Sequence, residues 1–249
     1  MRRARVTAQT LLGENAVRIL AELATHLART TELDVRFEGG DGARASEGAA
    51  DVWAHDLVWA CGLVTARTLA AGGFAGTVVA APVFAGETDP VYRSVVVARP
   101  GGPVRRLADL ARARVGVNET ASWSGYRGPL AELARAGLAP AFGEILPTGT
   151  HRASAEAVAA GRCEAAAIDC TVWAHLCEVA PGTTSRLAVV DRAGDWPAPP
   201  FSLADRVDPE TRARLVDALT GLHPGEVEGL AAVVPADPAP YAAMLGAPG

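Results

Sequence analysis

Arg114-Val115-Gly116-Val117-Asn118-Glu119-Thr120-Ala121-Ser122-Trp123-Ser124-Gly125-Tyr126 reads as a short strand that runs into a polar, hydroxyl-rich turn and opens a helix. Such a turn is suited to an anion. The first backbone N–H groups of a helix have no partner within it, the positive end of the helix dipole lies there, and the hydroxyls of Ser122 and Ser124 can point at one oxyanion. Ordinary N-capping by serine would leave the same pattern. A second turn of the same kind, Thr148-Gly149-Thr150-His151-Arg152-Ala153-Ser154, leads from the next strand into the next helix. Thr150 offers a hydroxyl and His151 an N–H or a full positive charge. A lone histidine is more often a surface residue, but its place between Thr150 and a helix start favours a ligand role. Gly161-Arg162-Cys163-Glu164-Ala165-Ala166-Ala167-Ile168-Asp169 then delivers a carboxylate at the end of a small-residue strand. Asp169 can accept from a protonated P–OH, pair with an amine on the same ligand, or cap the following helix.

Outward from this centre, strand-like and helix-like segments alternate, the pattern of an α/β fold with mixed, mostly parallel sheets. Upstream, 5–9 reads as a strand and 15–29 as a helix whose Ala16, Leu20, Leu23 and Leu27 share one face. A strand at 33–37, a loop at 39–48, a strand at 57–61 and a short helix at 65–71 closed by Gly72 and Gly73 come next. Residues 78–84 and 94–98 are β-branched runs, and Pro100-Gly101-Gly102-Pro103 breaks the chain. The second series is a helix at 107–111, a strand at 114–117, a helix at 125–136, a strand at 143–146, a helix at 153–160, a strand at 165–168, a helix at 172–179 and a strand at 187–190. Trp196-Pro197-Ala198-Pro199-Pro200 is expected as a loop, and 209–222 as a helix with Leu215, Leu219 and Leu222 on one face.

Composition removes several classes. At 249 residues, 49% hydrophobic and 20% charged, the chain can bury a core and is not a disordered one. A net charge of −5 supplies no field for a polyanion, so nucleic acid is not an expected partner. All the basic residues are arginine, which excludes a lysine Schiff base. Cys61, Cys163, Cys170 and Cys177 read as thiols; Cys170 and Cys177, with His175 between them, would lie on one helix face as small buried hydrophobes, and neither a metal nor a cofactor is expected. Met1-Arg2-Arg3-Ala4-Arg5 is basic, but Thr7, Gln9 and Thr10 interrupt the apolar residues from Val6 to Leu12, so no signal peptide is visible. The longest apolar stretch, 57–66, stops at Arg67, well short of the ~20 residues a membrane span needs. As written the chain reads as cytoplasmic, or as periplasmic if a leader was removed.

Ser122-Trp123-Ser124-Gly125-Tyr126 resembles the serine-threonine-serine-glycine turn of the phosphate/phosphite/phosphonate substrate-binding proteins of ABC transporters. Gly149-Thr150-His151 with Ser154, and Glu164-Ala165-Ala166-Ala167-Ile168-Asp169, are similar to that family's glycine-serine-histidine helix and its alanine-rich strand ending in aspartate. Tyr92-Arg93-Ser94-Val95-Val96-Val97 resembles the strand entering the second lobe, and Gly229 to Asp237 with Tyr241 the family's ending. The resemblance implies a two-lobed type II periplasmic-binding-protein fold, with 1–91 plus 191–249 as one lobe, 92–190 as the other, two hinge crossovers and a ligand cleft between the lobes. It also implies that Ser122, Ser124, Gly125, Thr150, His151 and Asp169 hold an oxyanion head, with Tyr126 in the same turn and with Tyr92 and the stretch Cys61 to Thr65 covering the ligand's other end. The implied partners are a small anionic ligand and an ABC permease, and a monomer is expected.

One departure bears on the ligand. Trp123 stands where the family has a small hydroxyl residue, which removes a donor and adds a ring that could stack on an organic substituent or turn outward and leave its backbone N–H in place. The same fold also serves lyase-type enzymes, in which His151 and Asp169 would be acid and base, and ligand sensors. No nucleophile with a base partner is evident, so a binding protein is the first expectation and an enzyme the second.

Overall fold

Leu20, Leu23 and Leu27, the face expected to be apolar, are fully buried in α1 (Glu14–Thr31), which lies between β1 (Arg5–Thr10) and β2 (Asp34–Phe37). The computed structural model describes residues 4–38 and 52–247, so the loop expected at 39–48 lies outside the described residues. The chain continues with β3 (Leu57–Trp59), α2 (Gly62–Ala70), β4 (Gly76–Phe84), β5 (Val91–Ala98) and β6 (Arg114–Val117). Next come α3 (Gly128–Arg135), β7 (Glu144–Pro147), α4 (His151–Ala159), β8 (Ala165–Asp169), α5 (Cys170–Val179), α6 (Pro181–Thr184) and β9 (Ala188–Pro197). β10 (Phe201–Ala204), α7 (Pro209–Thr220), β11 (Leu230–Pro235) and α8 (Ala239–Ala243) complete it.

Two units divide the chain: Met1–Val91 with Pro197–Leu245, and Tyr92–Trp196 with Gly246–Gly249. Unit 1 carries a six-stranded sheet in the order β11-β4-β10-β3-β1-β2. β1 pairs in parallel with β2 and β3, as strands linked through helices do, whereas β10 and β11 run antiparallel to their neighbours β3 and β4. Trp59 and Phe201 stack at 5.2 Å inside this sheet's core, and the Trp59 indole N–H donates to Pro199 O at 2.9 Å. The Tyr241 hydroxyl donates to Ala198 O at 2.8 Å, and burial pushes its pKa up.

Unit 2 carries a five-stranded sheet in the order β7-β6-β8-β5-β9. β6 is parallel to β7 and β8, and β5 is antiparallel to β8. One core packs Val95, Val97 and Ile168 against α4, and another packs Val96, Val115, Leu130 and Leu133 against α3. The carboxyl ends of β6 and β8 therefore carry, side by side, the first turn and Asp169.

Several expected elements shift, the following most. The strand expected at 187–190 is β9, which runs on to Pro197, so the chain leaves unit 2 after Trp196 rather than after Val190. The segment keeps Trp196 and Pro197 in a strand rather than a loop because an edge strand's last residue needs no ladder N–H. The helix expected from Gly125 opens as a π-turn over Trp123–Arg127 and becomes α-helical only at Gly128, and the short helix at 107–111 is a 3-10 turn, Leu107–Arg112. Cys177 is exposed on α5, so the two are not a pair of buried hydrophobes, while Cys170 is half-buried and packs against the unit 2 core; no disulfide joins the four cysteines among the described residues.

Candidate functional site

The first turn is held open in a form that ordinary helix starts lack. Arg127 N–H donates to Ser122 O at 3.1 Å, five residues back, which widens the turn, while Gly125 N–H donates to Ser122 Oγ at 3.0 Å. Ser122 Oγ thus accepts from the turn and keeps its own proton to give. Gly125 permits the close packing. A Cβ there would lie 1.7 Å from Asn118 Oδ1 and 3.1 Å from His151 Cε1.

The second turn is fastened onto the first. Thr148 N–H and Oγ1–H both donate to Val117 O at 2.9 Å, and Gly149 N–H donates to Asn118 O at 3.1 Å. Gly149 takes φ +83°, where a side chain is strained. Thr150 caps α4 by accepting Ala153 N–H at 3.0 Å and is itself exposed. His151, the first residue of α4, brings Nε2 to 3.3 Å from Ser124 Oγ. Its Nδ1 is buried and has no hydrogen-bond partner among the described residues, and neither does Asn118 Oδ1.

Asp169 ends β8 opposite Ser94 of β5, and Ser94 Oγ–H donates to Ser124 O at 2.5 Å. Asp169 is 8% exposed as a residue; its Oδ1 caps α5 by accepting Thr171 N–H at 2.8 Å, Thr171 Oγ1–H at 2.7 Å and Val172 N–H at 3.2 Å. No hydrogen bond among the described residues reaches Oδ2. Burial holds the His151 pKa below 6.5, with Asp169 and the nearby Ala167 backbone pulling it up, so at neutral pH the ring is uncharged.

Ser122, Ser124, Gly125, His151 and Asp169 are thus gathered at one strand-end cluster in unit 2, with Thr150 at its margin. Ser94 and Asn118 belong with them, although strand and turn patterns alone gave no reason to select either. Trp123 supplies backbone to the turn, but its ring is 4% exposed and packs edge-on against Trp196 at 5.6 Å. Tyr126 faces another way, its ring edge-on to Phe142 at 5.7 Å within a core cluster. Tyr92 is buried, with its ring edge-on to Trp196 at 6.4 Å. Cys61 and Thr65 lie in unit 1 at the start of α2, and the Thr65 hydroxyl is buried without a hydrogen-bond partner among the described residues.

His26 on α1 is shifted the same way as His151, chiefly by burial, with Glu226 opposing and Arg29 adding to the fall. A histidine whose folded pKa lies below its unfolded value stabilises the fold fully above that unfolded value, and this contribution is lost as pH falls through the folded one. The melting midpoint should therefore be level above pH 6.5 and drop below it. The drop should shrink in a His26→Asn, His151→Asn double variant, read by circular dichroism melts from pH 4 to 8. An equal acid drop in the double variant would assign it to other groups.

The two sheets, the double passage of the chain between units and an anion-suited turn at a strand end are the fold of the two-lobed periplasmic binding proteins. The sequence model of one family, described as "ABC transporter, phosphonate, periplasmic substrate-binding protein", matches residues 10–240, and the chain belongs to that family. It is thus a transporter's substrate-binding component and not an enzyme, and such a component implies a ligand and a membrane permease. The family is periplasmic. Among the described residues no helix is long and apolar enough to cross a membrane.

Solved structures share the fold. A binding protein component of an ABC phosphonate transporter from Pseudomonas aeruginosa is 18% identical, with a TM-score of 0.75 over 96% of this chain and 83% of that one. PhnD1 from Prochlorococcus marinus, solved with methylphosphonate, is 16% identical, with a TM-score of 0.76 over 97% of this chain and 96% of that one. The aliphatic sulphonate binding protein SsuA from Escherichia coli is 17% identical, with a TM-score of 0.61 over 98% and 84% of the two chains.

Proposed function

We propose that the protein captures a small phosphorus oxyanion, of the phosphonate, phosphite or phosphate type, through the Ser122, Ser124, Gly125, Thr150, His151 and Asp169 cluster and passes it to a permease. The observation that carries this reading is the pairing of donors with one acceptor. The Ser122 hydroxyl keeps a proton to give, Ser124 and the neutral His151 ring spend one proton on their own hydrogen bond and keep one for a ligand, and Asp169 offers Oδ2, the oxygen that does not cap α5. Donors alone would suit any oxyanion; a buried carboxylate among them suits one that bears a proton or an amine. Methylphosphonate, which PhnD1 holds, is the natural probe.

Trp123 acts through its backbone, since its ring is committed to Trp196, and the family's hydroxyl at that position is not replaced. Cys61 and Thr65 are proposed as ligand contacts of unit 1, and Thr65→Val reads their part. The protein works as a monomer outside the cytoplasmic membrane in this reading.

Titration calorimetry with methylphosphonate, phosphite and phosphate, set against sulfate and ethanesulfonate, tests the ligand class. Ser124→Ala and His151→Ala are each expected to weaken the best ligand by about 1–3 kcal/mol with the melting midpoint nearly kept. Unchanged affinity in both variants would remove the cluster from ligand binding.

A further inference from the structure

Trp196 is the last residue before the chain leaves unit 2, and Tyr92 the first after it enters. Their rings meet at 6.4 Å and 61°, beside the 2.5 Å ion pair of Arg93 with Asp195. In unit 1, just beyond the same crossings, Ala198 N–H donates to Pro90 O at 2.9 Å. The pairs 90 with 198, 92 with 196 and 93 with 195 keep one antiparallel register, as adjacent strands β5 and β9 allow. The two crossing segments therefore form a ribbon laced by side chains as well as backbone.

The anion turn is tied to both strands of this ribbon. From β5, Ser94 Oγ–H donates to Ser124 O at 2.5 Å. From β9, the Trp196 ring meets the Trp123 ring at 5.6 Å and 87°. Trp196 also fills the space over Gly128, the first residue of α3, where a Cβ would lie 2.6 Å from Cη2. Both indole N–H groups are buried, at 4% and 6% residue exposure, and neither has an acceptor among the described residues. An unpaired buried donor is unfavourable, and a phenylalanine would fill such space without one, so packing alone does not account for two tryptophans. A π-turn between them adds a further uncommon element.

We propose that Trp196 is a positioning residue that, through Trp123, couples the setting of the Ser122–Arg127 turn to the crossover ribbon. The indole pair holds the turn in its ligand-free setting, and a ligand that alters the turn alters the surroundings of the pair. The coupling goes beyond the ligand reading; only its ligand arm rests on that reading.

The first arm needs no ligand. Amide hydrogen exchange at 123–127 is compared in the wild type, Trp196→Phe and Trp123→Phe. Coupling predicts at least tenfold faster exchange at those amides in Trp196→Phe, with β6 amides and the melting midpoint near the wild type. The second arm adds methylphosphonate. Tryptophan emission should change in the wild type, and the change should vanish in the double Trp123→Phe, Trp196→Phe variant while calorimetry still records binding. Unchanged turn exchange in a folded Trp196→Phe protein, or a full emission change in the double variant, overturns the proposal. If the wild type takes up no methylphosphonate, the ligand reading fails, and the exchange arm still decides the coupling.

Discussion

Gly125→Ala is expected to lower methylphosphonate affinity more than hundredfold, about 3 kcal/mol, while the chain still folds. The added methyl would lie 1.7 Å from Asn118 Oδ1, 2.8 Å from Asn118 Cγ and 3.1 Å from His151 Cε1. None of these atoms is backbone, so the fold has a way to yield. Asn118 must rotate out, and His151 must move away from Ser124, where Nε2 now stands 3.3 Å from Oγ. Asn118 O keeps its bond from Gly149 N–H, so the two turns remain fastened while the polar groups between them are displaced. The expected stability loss is modest, about 1–2 kcal/mol, because a surface-connected site relaxes more easily than a sealed core. Gly137→Ala is the control. It takes φ +74° with nothing within 4 Å of the added Cβ, so it costs about 1 kcal/mol of backbone strain and should leave affinity untouched. Calorimetry and thermal melts of the two variants separate occlusion from strain. Gly125→Ala binding within threefold of the wild type would place the ligand elsewhere.

The parts of the fold legible in sequence were those whose hydrophobic pattern is local. The α1 stripe of Leu20, Leu23 and Leu27 and the small-residue run of β8 announce themselves within one window of chain. β10 does not. Phe201-Ser202-Leu203-Ala204 is four residues behind a proline-rich segment, and it becomes a strand only because β3 and β4 lie on either side of it to supply antiparallel partners. The far half of β9 was hidden similarly: Asp191-Arg192-Ala193-Gly194-Asp195 looks like a loop, yet pairing along β5 holds it extended. The boundary near 190 came from the resemblance alone, and the strand's continuation carries unit 2 on to Trp196.

The site was legible where the chain itself carries the geometry, as in a hydroxyl turn, a threonine-capped helix with histidine at its first position, and a carboxylate at a strand end. Ser94 and Asn118 were not, because each matters only through a residue distant in sequence or across a turn. Ser94 reaches Ser124 through strand pairing with β8, and Asn118 meets Gly125 only because the π-turn folds back. The Trp123 ring could equally have faced a ligand, and its burial depends on Trp196, 73 residues on, read from the two sequence positions. Side-chain direction set by tertiary partners is what composition and spacing omit.

Asp169 is expected to decide which protonation state of the ligand is taken. Its Oδ1 is committed to capping α5 through Thr171 and Val172, so Oδ2 is the oxygen left for a ligand, in a site where His151 is neutral and adds no positive charge. A doubly charged oxyanion would bring like charge to the carboxylate of a residue that is 8% exposed, whereas a singly charged one can donate its P–OH to Oδ2. Methylphosphonate affinity should therefore fall with rising pH once the dianion dominates, by about tenfold per pH unit, since only the protonated fraction binds. Sulfate and sulfonates, which carry no proton at neutral pH, should bind weakly throughout. Asp169→Asn keeps an oxygen for the cap and removes the charge, so it should flatten the alkaline fall and admit sulfate. Asp169→Ala loses both: about 1 kcal/mol of stability with the cap, and about a hundredfold in affinity with the acceptor. Calorimetry from pH 6 to 9 on the three proteins distinguishes these outcomes. An unchanged alkaline slope in Asp169→Asn would mean that the carboxylate serves α5 alone and that the ligand's proton is held by another group.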